Sequence, residues 1–388
     1  MKIPIIYNWR NLLARKLTTT LTVLGIGLVV FVFAAVLMLA NGFKKTLVGT
    51  GDLNNAIFVR KGANAELVSI VPRSQYNIVR TQPEAAQMND GKSLVAPELV
   101  VINNLRKRSN NEPTNIVVRG VSPESIPLRP KFRLIQGRLW RPGTSEIIAG
   151  KGVAEKFYGC GIGESVNMGK RDWEVVGIFE AGGTAFESEI WGDVEQFMDA
   201  FRRPVFSSVT MRMKDPSQFD AMKARIESDP QFTLDVKREI AFYEEQSQYL
   251  GSFIKILGLA VTILFSGGAI FGAVITMYSA VANRATEIGT LRALGFKRRN
   301  VLTSFLIECV LLSLIGGLLG LVFASTLQFI NISTTNWTSF SEVVFGFNIS
   351  PGIVLGSLLF AVIMGIIGGF APAVRAARMK VVEALRAS

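Results

Sequence analysis

Four stretches of this 388-residue chain are long enough and apolar enough to cross a lipid bilayer, and a water-soluble fold has no place for all of them. Leu21–Ala40 carries no charged residue, and twenty residues rising about 1.5 Å each span about 30 Å, the thickness of the hydrocarbon core. Ile256–Ala282 is equally free of charge, and from Val301 to Pro351 only Glu308 and Glu342 interrupt the apolar run. A secretory signal peptide would have a shorter apolar core and a small-residue cleavage site after it, so Leu21–Ala40 reads as an uncleaved first span. The fold class predicted is an integral membrane α-helical protein with four transmembrane helices and a large α+β extracytoplasmic domain inserted between the first and second spans.

Charge sets the orientation. The formal net charge is +12, yet residues 41–252 hold 28 Lys and Arg against 26 Asp and Glu, so the basicity belongs to the membrane flanks. Residues 1–20, 281–300 and 374–388 carry four, five and four Lys or Arg, whereas 331–351 carries none. Short loops rich in Lys and Arg stay inside, so both termini are expected in the cytoplasm. The predicted order is an interfacial amphipathic helix (1–17), span 1 (18–41), the external domain (42–250), span 2 (251–282), a cytoplasmic helix (283–300), span 3 (301–330), a short outer loop (331–351), span 4 (352–374) and a cytoplasmic tail (375–388). A near-neutral external domain argues against nucleic acid, which needs a basic stripe.

Within that domain, Ala56–Val59, Asn115–Val118 and Trp173–Phe179 read as strands, and Val194–Phe201 and Gln218–Ile226 as helices. The polar run Arg80–Asp90 reads as a mobile loop. The spans carry three Gly-x-x-x-Gly pairs, Gly268/Gly272, Gly316/Gly320 and Gly365/Gly369, which let helix backbones approach closely and predict a packed bundle, one pair being free to form a dimer face. Ser350-Pro351 supplies an N-cap and a first-turn proline for span 4. Trp337 suits the outer interface. Lys255 is expected to snorkel. Glu308 lies inside span 3, where a carboxylate needs a partner; it reads as a structural pair with a basic residue near the inner interface rather than as a proton site.

The segment Asn283–Asn300 concentrates charge between two uncharged runs. If Ala285–Leu294 is helical, Ile288, Leu291 and Leu294 form a narrow apolar stripe and Arg284 pairs with Glu287 on a polar side. Gly295 ends the helix in a left-handed C-cap, with Lys297, Arg298 and Arg299 favouring its C-terminal dipole. Such a helix docks a soluble partner or lies among anionic headgroups, and the pattern alone leaves both open.

Catalytic signatures are scarce. The chain has no histidine, which removes the commonest general base and metal ligand. Gly163 to Lys170 has the wrong spacing for a phosphate-binding loop and Arg171 replaces the required hydroxyl residue. Cys160 reads as a buried small hydrophobe, and Glu187 and Glu189 as solvated. The chain is therefore expected not to be an enzyme and to bind no cofactor or metal.

The run Glu287-Ile288-Gly289-Thr290-Leu291-Arg292-Ala293-Leu294-Gly295, followed by Phe305-Leu306-Ile307-Glu308 and Leu314-Ile315-Gly316-Gly317-Leu318-Leu319-Gly320, resembles the signature of the MacB/FtsX-type ABC transporter permeases. The ending Pro372-Ala373-Val374-Arg375-Ala376-Ala377-Arg378-Met379-Lys380-Val381-Val382-Glu383-Ala384-Leu385-Arg386 resembles it too. The resemblance implies that Arg284, Glu287, Ile288, Leu291, Arg292, Leu294 and Gly295 form a coupling helix that contacts an ATPase. It implies an external domain of two lobes, the distal one at about 131–204, a homodimer in the bacterial inner membrane, and a periplasmic adaptor. No fused ATPase is read in this sequence, so a separate ATPase subunit using ATP and Mg is expected. The function implied is mechanotransmission, the coupling of ATP hydrolysis to movement of the external domain for export or extraction of a substrate. A membrane receptor, or a regulator of a cell-wall hydrolase, that docks a partner without transport would share the layout.

Overall fold

The computed structural model describes residues 16–336 and 339–381. In chain order its elements are α1 (Lys16–Val48), β1 (Asn55–Arg60), α2 (Arg73–Arg80), β2 (Val95–Arg106), β3 (Pro113–Val121), β4 (Arg133–Gly137), β5 (Glu146–Gly150), α3 (Lys151–Lys156), β6 (Ser165–Met168), β7 (Arg171–Glu180), β8 (Glu189–Asp193), α4 (Val194–Ala200), β9 (Ser208–Arg212), α5 (Phe219–Ser228), β10 (Leu234–Arg238), α6 (Glu239–Ala282), α7 (Ala285–Ala293), α8 (Arg298–Thr326), β11 (Asn331–Asn336), β12 (Ser341–Gly346) and α9 (Pro351–Arg378). They fall into two compact units. One holds Gly42–Gly251 and Asn331–Gly346, the other the remaining helical segments. The predicted amphipathic lead before Lys16 and Trp337 lie outside the described residues.

The first unit is built on a ten-stranded sheet in the order β10-β1-β9-β2-β3-β8-β5-β7-β4, with β6 also paired to β7. Strands β4 to β8 fall in the segment expected as the distal lobe. They join the rest through parallel pairing of β3 with β8, in which Val117 faces Glu189, so that segment and the remainder of the unit share one ladder. Alternation places Phe58, Leu99, Val118, Ile147, Trp173 and Ile190 in one core cluster, while the intervening Ile57, Val59, Ile148 and Trp191 are buried in separate clusters, so the central strands are covered on both faces.

Two expectations are corrected in this unit. Arg80–Asp90 is anchored, not free. The Ala86 N–H donates to the Arg212 carbonyl at 2.8 Å, Leu94 N–H to the Ala86 carbonyl at 2.7 Å, and buried Glu84 pairs with Arg225 at 2.7 Å. Backbone hydrogen bonds thus hold a segment that has too few apolar side chains to be recognised as ordered. The outer loop expected at 331–351 contains the hairpin β11–β12, in register from Asn331↔Gly346 to Asn336↔Ser341. Lys107 pairs with Glu342 at 2.5 Å, and Val344 N–H donates to Ser188 Oγ at 3.1 Å. The β-branched residues Ile332, Thr334, Thr335, Val343 and Val344 suit strands, but the absence of basic residues made the segment look like a bare connection.

In the second unit, four helices are long and apolar enough to cross a membrane: Thr19–Val48, Glu239–Ala282, Arg298–Phe329 and Pro351–Arg378. Within α6 the membrane-spanning segment is taken as residues 252–282. Ile256, Leu264 and Phe271 on this segment are 70%, 77% and 72% exposed, a run that suits lipid rather than water. Ser350 caps α9 by accepting from Ile353 N–H, and Pro351 opens it.

The glycine pairs behave differently from one another. A side chain at Gly316 would meet the Val23 carbonyl of α1 at 2.8 Å, and one at Gly320 would meet the Gly27 carbonyl. Gly365 and Gly369 likewise admit Ser313 and Cys309 of α8. These two pairs are where helix backbones close on each other. Gly268 and Gly272 have no such neighbour within 4 Å, so within one chain they pack nothing. The second span instead meets α1 at Gly258, against Val36, and α9 at Ala273, against Gly368. Lys255 is exposed, as a snorkelling residue would be.

Candidate functional site

The charged connection between α6 and α8 forms the candidate coupling site. Helix α6 runs to Ala282, after which Arg284 N–H bonds the Val281 carbonyl at 3.2 Å. The chain turns there and α7 begins. Arg284 is the N-cap residue, but its side chain caps nothing; it points inward and is only 5% exposed. Its Nη1 donates to Glu308 Oε2 at 2.9 Å and its Nε to Glu287 Oε2 at 3.1 Å. The guanidinium also stands 5.1 Å from the centre of the Phe305 ring. One cation thus ties the start of α7 to α8, so Glu308 has the basic partner expected for it. The sequence puts Arg284 on the polar side of the helix, and the structure turns it inward. The low dielectric of the site explains the difference, because a carboxylate buried in a span draws a guanidinium in with it.

The apolar stripe divides. Ile288 is buried in a cluster with Val281, Val301, Phe305 and Ala376, Leu291 is half-buried, and Leu294 is 69% exposed. At about 100° per residue, two successive steps of three carry Leu294 about 120° around the axis from Ile288. The three cannot share a face, so Ile288 anchors the helix while Leu294 remains presented. Arg292 is half-buried, and Glu287 is exposed apart from its pair.

The C-terminus follows the expected chemistry. Gly295 has φ +94°, with Gly295 N–H bonding the Arg292 carbonyl and Phe296 N–H the Leu291 carbonyl, both at 3.2 Å. That pair of bonds is the Schellman closure, which needs a left-handed residue. Lys297, Arg298 and Arg299 are corrected in one respect. Lys297 is the N-cap of α8 and Arg298 its first residue, so they crowd positive charge onto a helix N-terminus, which disfavours cations by about 0.3–1 kcal/mol each. All three are exposed, and an anionic surface or partner would offset that cost.

A second constellation has its members scattered along the sequence. In the external unit, Arg119 donates to Glu189 at 2.7 Å, Glu66 at 2.8 Å and Glu98 at 2.9 Å, and Arg129 bonds Glu98 at 3.0 Å and also Glu239. None of these side chains is more than 7% exposed. Glu189 was read as solvated and is not. Glu187 is half-buried, and its carboxylate accepts the N–H groups of Ala181 and Gly183 at 2.8 and 2.7 Å. The available signal was the charge inside apolar strands, Glu98 in Val95–Ile102 and Arg119 in Ile116–Val121. Cys160 is fully buried among Phe157, Val166 and Trp173, and burial pushes its thiol up to about 12.

A four-helix membrane unit with a charged inter-span helix, joined to a large mixed α+β unit, defines a permease-type membrane subunit. Residues 19–229 match the family model of the MacB-like periplasmic core domain, and 259–381 that of the FtsX-like permease C-terminal region. The first match alone covers more than half of the chain, which belongs to the MacB/FtsX-like family of ABC transporter permeases. It is 24% identical to the uncharacterized ABC transporter permease YknZ of Bacillus subtilis (strain 168), over 97% of this chain and 96% of that one. It is 25% identical to the macrolide export ATP-binding/permease protein MacB of Photorhabdus laumondii, over 97% of this chain and 59% of that protein. It therefore spans about three-fifths of the MacB relative. A solved extracellular domain of the noncanonic ABC-type transporter YknZ from Gram-positive bacteria aligns over 47% of this chain at 18% identity and a TM-score of 0.36.

Proposed function

We propose that this chain is the membrane subunit through which ATP hydrolysis by a separate ATPase moves an external domain, so that substrate is exported or extracted on the outer side of the membrane. The observation that carries the reading is the division of α7. Arg284 and Ile288 fix the helix to its own bundle, while Leu294 and the basic run after it face outward. A helix rooted on one side and apolar on the other is suited to receiving a push from a soluble protein. An uninterrupted α6 of 44 residues is long enough, at about 1.5 Å per residue, to leave a membrane of about 30 Å and continue beyond it.

On this reading the chain holds no cofactor, and ATP and Mg act on the ATPase. The MacB relative is named an ATP-binding/permease protein, and this chain matches its permease portion. The reading further places both termini in the cytoplasm of a bacterial cell with the protein in the inner membrane, two copies in the working assembly, and a periplasmic adaptor outside.

Leu294→Asp tests the docking surface without disturbing the fold, because the side chain is already exposed. Expected is loss of ATPase copurification with unchanged membrane insertion. Undiminished copurification would overturn the assignment.

A further inference from the structure

The buried network of the external unit does not balance its charge. Two guanidiniums, Arg119 and Arg129, face four carboxyl groups, Glu66, Glu98, Glu189 and Glu239, with the Tyr243 hydroxyl 3.2 Å from Glu66. The charged groups come from the turn Glu66–Val68, strands β2, β3 and β8, the segment holding Arg129, and the first turns of α6, while β1 and β9 add the uncharged donors Asn55 and Ser208. At the margin, Asp52 is matched by Arg212 at 2.9 Å, and Glu342 by Lys107 at 2.5 Å. Neither pair supplies a spare cation. Fully ionised, the core of the network would carry two negative charges in excess while withdrawn from water, a state that proteins avoid by neutralising a group.

We propose that this network is a proton-binding site, holding up to two protons among its four carboxyls at neutral pH, with Glu189 the first to take one. The donors around each carboxyl set the order. Glu98 touches both guanidiniums. Glu239 opens helix α6, where N–H groups favour an anion, and also receives the Asp52 N–H at 2.9 Å. Glu66 shares Arg119 but gains the hydroxyls of Ser208 and Tyr243. Glu189 has only the shared Arg119 and the Trp191 indole N–H at 2.7 Å.

Burial pushes two of the four carboxyls above their ordinary value, Glu189 and Glu239, the latter in spite of Arg129, Asn55 and the Asp52 N–H. The weaker donor set at Glu189 is what puts it first, Arg119 offsetting only part of the effect there. At Glu66 burial acts in the same direction, but Arg119 and Ser208 prevail and hold it below. Arg119 and Arg129 stay cationic, because their carboxylate partners outweigh burial and raise them. A carboxyl raised in the native state binds its proton more tightly there than in the unfolded chain. Stability is then fully present below the unfolded value of 4.5 and is lost as pH rises through the native one, the folding equilibrium falling about tenfold per pH unit for each such proton.

The test is infrared spectroscopy of the full-length detergent-solubilised protein at neutral pH, in water and deuterium oxide, with elemental analysis for bound metal. Expected is a protonated-carboxyl band in the wild type that bleaches as pH is raised. Its amplitude should fall in Glu189→Gln, a neutral replacement of equal shape, and persist in Glu66→Gln. A wild-type spectrum without that band, or with a bound metal in its place, would overturn the proposal, and this measurement needs no variant to fold. A band unchanged in folded Glu189→Gln would overturn the assignment to that residue.

Discussion

Replacing Glu308 by Ala removes the carboxylate that meets Arg284 at 2.9 Å, in a pair whose side chains are 6% and 7% exposed. Breaking a buried pair by deleting one partner costs about 3–5 kcal/mol, because the remaining charge keeps its desolvation without its compensation. Among the described residues, Glu287 and Phe305 limit the damage here. Glu287 still bonds the guanidinium at 3.1 Å, but it is 54% exposed, and exposed pairs contribute about 0.2–1 kcal/mol. Phe305 adds a cation–π contact of about 0.5–2 kcal/mol. Neither is created by the mutation, so the expected loss is about 3 kcal/mol, the lower end of the range. The double variant Arg284→Met with Glu308→Ala should recover part of it, since no buried charge then remains at that pair. The assay is thermal or denaturant unfolding of the detergent-solubilised protein, with all four members of the double-mutant cycle compared. A single-mutant cost below about 1 kcal/mol, or a double mutant whose losses simply add, would refute the reasoning that this pair is electrostatically coupled.

The helix contacts predict a contrast between glycines. Gly320→Val should destabilise by about 1–3 kcal/mol through overpacking, because its side chain would be forced onto the Gly27 carbonyl and the Phe31 nitrogen of α1. Gly272→Val, with no neighbour within 4 Å, should leave monomer unfolding unchanged while testing any contact with another copy; equal losses at the two sites would contradict the packing described. Orientation can be read by thiol labelling. Native Cys160 and Cys309 are buried, and should stay silent until the protein is unfolded. Asn110→Cys, at an exposed position of the external unit, should then label in intact cells, and Ala293→Cys only after the membrane is opened. The reverse pattern would invert the topology.

Much of the segment between α6 and α8 was legible because it depends on local chemistry. A glycine at position 295 is needed wherever a helix closes with φ near +94°, and the Arg284–Glu287 spacing forms a pair on any helix. Which residues the bundle would take in was not legible. Arg284 looks like a surface residue until Glu308, twenty-four positions later, is folded against it. Ile288 and Leu294 look alike until the bundle covers one of them. Glu98, Arg119 and Glu189 were equally hidden, since their meeting depends on strands β2, β3 and β8 lying side by side.

Sequence by itself determined that this chain lives in a membrane, how many spans it has the material for, and where its external domain is inserted. Hydrophobic length, charge asymmetry and turn chemistry are properties of contiguous residues, so they survive without knowledge of the fold. Tertiary structure alone decided which glycines pack, that the segment after Asn331 is a hairpin belonging with the external unit, and that six charged side chains share one dry interior. Those outcomes depend on pairings between residues far apart in the chain. In low dielectric, what faces a group across such a pairing governs its energy more than its own type does.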